Sequence, residues 1–303
     1  MIKIIFFGTP DIGLKSLDYL NNSDKIDVCA VVTQPDKPAG RGNKLQASPI
    51  KKYAFEHNIP VFQPKSISKE PNIQAELKKI EPDFFVTFAF GQILSQEVLD
   101  IPKYETINLH ASLLPKYRGA NPIQRAIING ESQTGICTMI TELGLDCGDI
   151  CQKLVIPISD TMNCQELWNE IGEKSPEMIE NTLISLKNGT LNPEKQCQDG
   201  VCTAPKLTKE ECLIDWSKSN KDIHNLVRGI CRSPGAYFIH NDKIIKVIET
   251  KPVDGNGTQG QIISHSKDGV DIGCGNGLVR LITVKPEGKR EMKASDWYNG
   301  VRT

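Results

Sequence analysis

No stretch of this 303-residue sequence approaches the roughly 20 consecutive apolar residues needed to cross a bilayer. The opening run, MIKIIFFGTPDIG, carries one charge and about five apolar residues before a Gly-Thr-Pro turn, short of the roughly 7–15 of a secretion signal. A cytoplasmic protein without a membrane partner is therefore expected. There are ten cysteines, yet no two are spaced C-x-x-C; the nearest pairs are Cys147/Cys151 and Cys197/Cys202. Zinc sites declare themselves by short Cys/His pairs repeated at a distance, so reduced thiols and no metal are expected. The first strand is not followed by G-x-G-x-x-G. It runs into Gly8-Thr-Pro-Asp-Ile-Gly13, and the second strand ends in Thr33-Gln34 rather than in an acidic ribose partner. That pattern favours a tight strand-to-helix turn over a dinucleotide cradle and makes a nicotinamide oxidoreductase remote. Internal repeats and low-complexity tracts are also missing.

Neither sign of charge dominates: the net charge is −1, from 36 basic and 37 acidic residues. The distribution is uneven, with 16 Lys and Arg against 12 Asp and Glu from Lys206 onward, leaving 20 against 25 before it. A mildly basic C-terminal part is compatible with a polyanionic partner, though ordinary solvated domains show similar excesses.

The length suggests two domains. In the first, short β-rich runs (Ile2–Phe7, Val28–Thr33, Phe84–Phe88, Thr106–His110, Thr134–Ile140, Ile150–Ile156) alternate with helical patterns (Leu14–Leu20, Ser48–His57, Ile73–Ile80). A long closing helix is expected over Cys164–Lys187. Such alternation predicts βαβ units and a Rossmann-like, helix-covered parallel sheet over residues 1–187. Residues 188–205 are polar and irregular and read as a linker. Over 206–303, one helical stretch (Ile223–Cys231) precedes short strands at Ala236–Ile239, Lys243–Thr250, Gln261–His265, Gly269–Ile272 and Leu278–Val284. This predicts a smaller C-terminal β-barrel of the oligonucleotide-binding (OB-like) type, for an α/β protein overall.

Three stretches can carry chemistry. Thr33–Lys44 combines two prolines, two glycines and three cations with one acid, and predicts a mobile basic loop at the carboxyl edge of the sheet. There Arg41, between Gly40 and Gly42, can reach a phosphate; a merely solvated loop is an equal reading. Ile107–Gly119 is the strongest. Residues two apart on a strand share a face, so Asn108 and His110 point together at the strand's carboxyl end. An amide beside an imidazole can hold an oxygen that turns negative in a transition state. A lone histidine is more often a hydrogen-bonded structural residue; the paired Asn108 and the Ser112–Pro115 turn shift the balance. The third stretch, Leu143–Ile150, offers Asp146 and Asp149 beside glycines, where either can simply cap a turn.

Asn108-Leu-His-Ala-Ser-Leu-Leu-Pro115, followed by Lys116-Tyr-Arg-Gly119 and Leu145-Asp-Cys-Gly-Asp-Ile150, resembles the folate-dependent formyltransferase family. The resemblance implies 10-formyltetrahydrofolate as formyl donor and an active site of Asn108, His110 and Asp146. It implies a folate site bordered by Phe88, Ala89, Phe90, Gly91, Ser112, Leu113, Leu114 and Pro115. Phe7–Pro10, Gln34–Gly42, Gly119–Arg125 and Ala204–Lys209 are similar to the members that formylate initiator methionyl-tRNA. These would engage tRNA through Arg41 in the basic loop and through the C-terminal barrel. Lys206, Lys209 and Arg228 are the candidate cations there by position. Phe90 stands where tyrosine is common and Cys147 where threonine is usual.

On this resemblance Asn108 and His110 would hold the oxyanion formed when the methionyl α-amine attacks the formyl carbon. Asp146 would orient His110 and help take the amine proton. A monomer suffices. Formyltransferases acting on glycinamide ribonucleotide or on UDP-amino sugars share the Asn/His/Asp chemistry, so the loop and the tail, not the active site, point to tRNA. A non-catalytic RNA-binding protein on the same scaffold is the alternative from another class.

Overall fold

Apolar runs such as IKIIFFG and FFVTF lack the polar alternation of a half-exposed sheet, and they form central strands covered on both faces. The computed structural model describes residues 1–39, 44–231 and 233–301. Its strands are β1 (Ile2–Gly8), β2 (Ile26–Val32), β3 (Lys37–Ala39), β4 (Lys44–Gln46), β5 (Val61–Phe62), β6 (Phe84–Phe88), β7 (Glu105–His110), β8 (Gln133–Ile140), β9 (Ile150–Pro157), β10 (Ala236–His240), β11 (Lys243–Val253), β12 (Ile262–Ser266), β13 (Gly269–Gly273), β14 (Leu278–Pro286) and β15 (Met292–Lys293). The helices are α1 (Leu14–Asn21), α2 (Pro49–Glu56), α3 (Pro71–Lys79), α4 (Gln96–Leu99), α5 (Pro122–Ile128), α6 (Cys164–Lys187), α7 (Asn220–Gly229) and α8 (Ala294–Asn299).

The chain divides into two units. The first comprises Met1–Ala120, Gly135–Ile156 and Trp168–Thr203; the second comprises Asn121–Thr134, Pro157–Leu167 and Ala204–Thr303. Two short segments thus group with the C-terminal stretch, although they precede the 188–205 tract.

In the first unit a seven-stranded sheet runs β5-β2-β1-β6-β7-β8-β9. β1 pairs in parallel with both β2 and β6, and β7 continues in parallel beside β6. β8 reverses direction against β7. The order switches sides at β1, so the carboxyl ends of β1, β6 and β7 border the crevice where open α/β sheets bind ligands. Phe6, Phe7, Phe84, Phe85 and Phe88 fill the sheet's faces, each worth roughly 1.5–3 kcal/mol of burial. Gly8 permits the close approach of β1 and β6: a Cβ there would lie 2.8 Å from the Phe6 ring and 3.2 Å from the Phe88 carbonyl oxygen. Its role is packing, in keeping with a tight turn.

Two local features differ from the sequence expectation. The stretch read as a mobile basic loop contains a two-stranded antiparallel ribbon, β3 with β4. Its base is anchored by Asp36, which accepts from Lys51 Nζ at 2.7 Å and Gln63 Nε2 at 2.8 Å. The Lys51 and Gln63 hydrogen bonds hold the Asp36 carboxyl below the usual range. Most of the 188–205 tract, through Thr203, is tied down in the first unit as well. Glu194 exchanges two 2.8 Å backbone bonds with Ile150, and Arg118 N–H donates to Cys202 O at 3.0 Å.

The second unit carries a six-stranded antiparallel sheet in the order β10-β11-β14-β13-β12, with β15 on β14. Ile223 and Val227 of α7 pack with Phe238, Val247, Leu281 and Trp297 in its core. α7 begins three residues before the first apolar position, because Ser219 and Asp222 form a reciprocal capping box. Among the described residues no helix is long and apolar enough to cross a membrane. None of the ten cysteines forms a disulfide; burial pushes the Cys137 thiol up to about 11 and Cys151 to about 12.

Candidate active site

β7 ends in Asn108-Leu-His110, and its register against β6 sets the first site residue. Thr87 lies opposite Asn108. The Thr87 hydroxyl donates to Asn108 Oδ1 at 2.8 Å. With its oxygen engaged, the half-buried amide presents Nδ2, which has no partner among the described residues.

His110 is 5% exposed. Its Nε2 lies 2.9 Å from the Tyr117 carbonyl oxygen, an acceptor only, so that nitrogen carries a proton. Nδ1 faces Asp146 Oδ2 at 3.6 Å, an ion-pair distance and too long for a hydrogen bond. The ring therefore has a fixed place for a second proton, between Nδ1 and the carboxylate. Its Nε2–H is already committed to Tyr117, so donation from His110 to a substrate oxygen competes with that carbonyl.

Asp146 is held from two sides. Its Oδ2 accepts the Gly119 N–H at 2.8 Å. Its backbone sits at φ +47, a left-handed conformation that costs an L residue roughly 1–2 kcal/mol and that aspartate tolerates better than most. Gly148 lets the turn close on β8, since a Cβ there would lie 2.0 Å from the Ile140 carbonyl oxygen. The side chain of Cys147 lies over Gly144 in the same turn.

The residues expected around a folate divide into two groups. Ala89, Gly91, Leu113 and Pro115 keep exposed or half-exposed surface. Phe88, Phe90, Ser112 and Leu114 are buried. The Phe90 ring is a core group, edge-on to Phe7 with centroids 5.3 Å apart. Ser112 closes its turn on Lys116 O at 2.6 Å, and Leu114 packs with Cys137, Met139 and Ile150. The carbonyls of Phe90 and Gly91 accept from Gln34 Nε2 at 3.1 and 3.0 Å, and Thr9 Oγ1 donates to Phe90 O at 3.1 Å. Sequence reading missed Thr87, Thr9 and Gln34 as parts of this frame. A polar residue at or just past each of three strand ends was the available signal.

The expected tRNA-binding residues fare differently. Arg41 lies outside the described residues. Lys206 and Lys209 are exposed in the second unit. Arg228 is not available: it is 7% exposed, and its guanidinium donates to Ser159 O, Met162 O and Asn225 Oδ1 at 3.0, 2.8 and 2.9 Å. Its charge is used to tie a loop to α7, which its position in sequence did not reveal. Among the described residues no group of three or more His, Cys, Asp or Glu converges as a metal site would require.

Profile comparison matches residues 2–183 to the formyl transferase family and residues 206–302 to the formyl transferase C-terminal domain. Methionyl-tRNA formyltransferase of Clostridium perfringens strain 13 is 45% identical over 301 residues, covering 99% of this chain and 97% of its own. The enzyme of the same name from Geobacter metallireducens is 44% identical, covering 99% and 96%. Among solved structures, an N-formyltransferase from Helicobacter canadensis in complex with folinic acid and dTDP-3-aminofucose superposes with a TM-score of 0.68 at 22% identity, over 93% of this chain and 99% of that one. HypX from Aquifex aeolicus in complex with tetrahydrofolic acid gives 0.63 at 18% identity, over 97% of this chain and 46% of that one. At these identities the two structures speak to the fold.

Proposed function

The chain belongs to the formyl transferase family, and we propose that it moves the formyl group of 10-formyltetrahydrofolate to the α-amine of initiator methionyl-tRNA. The observation that carries the chemistry is the grouping of Asn108, His110 and Asp146 at the carboxyl end of β7, with His110 Nδ1 and the Asp146 carboxylate 3.6 Å apart. The acceptor rests on the relatives named for methionyl-tRNA, which match this chain nearly end to end.

An α-amine titrates near 7.7–8.0, so an appreciable part is unprotonated at neutral pH and able to attack. Attack on the formyl carbon forms the C–N bond and moves the carbonyl electron pair onto oxygen. Asn108 Nδ2, oriented by Thr87, donates to that oxyanion. His110 joins it to the extent that its Nε2–H is shared with Tyr117 O. The proton released by the attacking nitrogen passes to the His110–Asp146 pair, directly or through water, and is returned to N10 as the tetrahedral species collapses. Tetrahydrofolate leaves and the amine keeps the formyl group.

The donor lies against Ala89, Gly91, Leu113 and Pro115, which keep surface on either side of the catalytic strand. Arg41, between β3 and β4 in the sequence, serves the tRNA together with Lys206 and Lys209. The reading is tested by offering 10-formyltetrahydrofolate with methionyl-tRNA, glycinamide ribonucleotide or a nucleotide-linked amino sugar and following tetrahydrofolate release. Methionyl-tRNA supports release under this proposal. Release with an amino sugar alone refutes the acceptor, and no release with any acceptor refutes the reaction.

A further inference from the structure

Gln196 lies in a stretch whose composition reads as a linker, yet it is only 9% exposed and uses its whole hydrogen-bonding capacity. Its Nε2 donates to Asp146 O at 2.9 Å and to Gly148 O at 2.8 Å. Its Oε1 accepts from Arg118 Nε at 3.1 Å and Nη2 at 2.7 Å. A carboxamide has two N–H donors and an oxygen with two lone pairs, so nothing is left over for a ligand. The side chain is a brace.

What it braces is specific. Arg118 lies between Tyr117, whose carbonyl takes the His110 Nε2–H, and Gly119, whose N–H holds the Asp146 carboxylate. On the other side of Gln196 is the left-handed turn that carries Asp146 itself. The Arg118–Gln196 pair therefore joins the two backbone segments that face the two nitrogens of the His110 ring. Around a reacting group, displacement of about 1 Å can cost about 10²-fold in rate. Partners that orient a histidine are worth about 10–100-fold where they have been removed from metal sites.

We propose that Gln196, seated by Arg118, is a positioning residue for the His110–Asp146 pair. The consequence for formyl transfer rests on the functional reading above; the effect on the ring does not. Gln196→Met keeps the length and volume of the side chain and removes all four hydrogen bonds. The test records ring 15N signals of His110 in 15N-histidine-labelled wild type, Gln196→Met and, as reference, Asp146→Asn. The protein has five histidines, few enough for assignment by single replacement. The kcat and KM for both substrates are measured alongside.

The expected result is that the His110 ring signals of Gln196→Met move toward those of Asp146→Asn. The kcat falls about 10–100-fold, while each KM stays within about threefold. Ring signals that coincide with wild type, or a kcat within about twofold of it, overturn the proposal. Should Gln196→Met fail to fold, Arg118→Met leaves Gln196 in place without its seat, and the same two readouts apply with a smaller displacement expected. If wild type turns over no formyl donor, the functional reading fails, and the ring signals alone decide whether Gln196 holds the pair.

Discussion

Thr87 and Asn108 face each other across the parallel strands β6 and β7, and the threonine hydroxyl donates to the asparagine's amide oxygen at 2.8 Å. An asparagine amide is nearly symmetric in shape, so without such a bond its nitrogen and oxygen could exchange places. Thr87→Val keeps the shape of the strand and removes the donor. We expect kcat to fall about tenfold, with KM for the formyl donor little changed, since a turned amide offers an oxygen to a developing oxyanion. Asn108→Ala removes the donor outright and should cost about 10²–10³. Stability of Thr87→Val, read by thermal unfolding, should change by about 1 kcal/mol. A Thr87→Val enzyme with wild-type kcat would show that the amide is oriented by something else.

The strand that carries Asn108 and His110 was legible in sequence because a period of two places both on one face of a short β-run. The alternation of short β-runs with helical patterns likewise pointed to the parallel sheet. The supports of the site were not legible, because they are ordinary residue types brought in from far along the chain. Thr87 reads as a buried strand residue, Gln196 as part of a polar tract and Gly119 as a turn; each acquires meaning only through a partner 21 to 50 residues away. Phe90 and Leu114 stand in the motif that suggests a folate site, and the motif did not reveal that their side chains pack in the core. Arg228 shows the same limit for charge. A basic residue near the end of an amphipathic helix looks solvated until the carbonyls it holds are seen.

That burial leads to a contrast between cations. Arg228→Ala should lower the melting temperature, because three hydrogen bonds from a charged group are removed and two backbone carbonyls lose their donor. Its effect on the salt dependence of tRNA binding should be nil. Lys206→Ala and Lys209→Ala, at exposed positions, should leave the melting temperature alone. Removing a cation that touches a phosphate should reduce the slope of log affinity against log salt by about one. Arg41→Ala should weaken use of tRNA without weakening folate binding. Binding titrations at several salt concentrations, beside thermal melts, separate the two classes. A stable Arg228→Ala with a reduced slope would reverse the assignment.

In the second unit, Arg280 holds Asp271 with Nε and Nη2 at 2.7 and 3.0 Å, and Ser264 Oγ donates at 2.7 Å. The Arg280 guanidinium, helped by Ser264 and opposed by burial, keeps the Asp271 carboxyl below its ordinary value. A carboxylate depressed in the folded state contributes stability that is complete above its unfolded value of about 3.9 and is lost as pH falls through the folded one. Asp271→Asn should therefore destabilise the protein by roughly 1–3 kcal/mol at pH 7. The gap to wild type should narrow steadily below about pH 4. Denaturant unfolding across that range checks the sign; a gap that widens in acid would contradict it.

We propose that His110, set between Tyr117 O and the Asp146 carboxylate, works in formyl transfer and does not merely hold the turn. The most direct test is the single-turnover rate of formyl transfer from 10-formyltetrahydrofolate to methionyl-tRNA by folded His110→Ala, with donor affinity measured separately. A loss of about 10² or more in rate is expected, at unchanged donor affinity. A near wild-type rate from folded His110→Ala would contradict it.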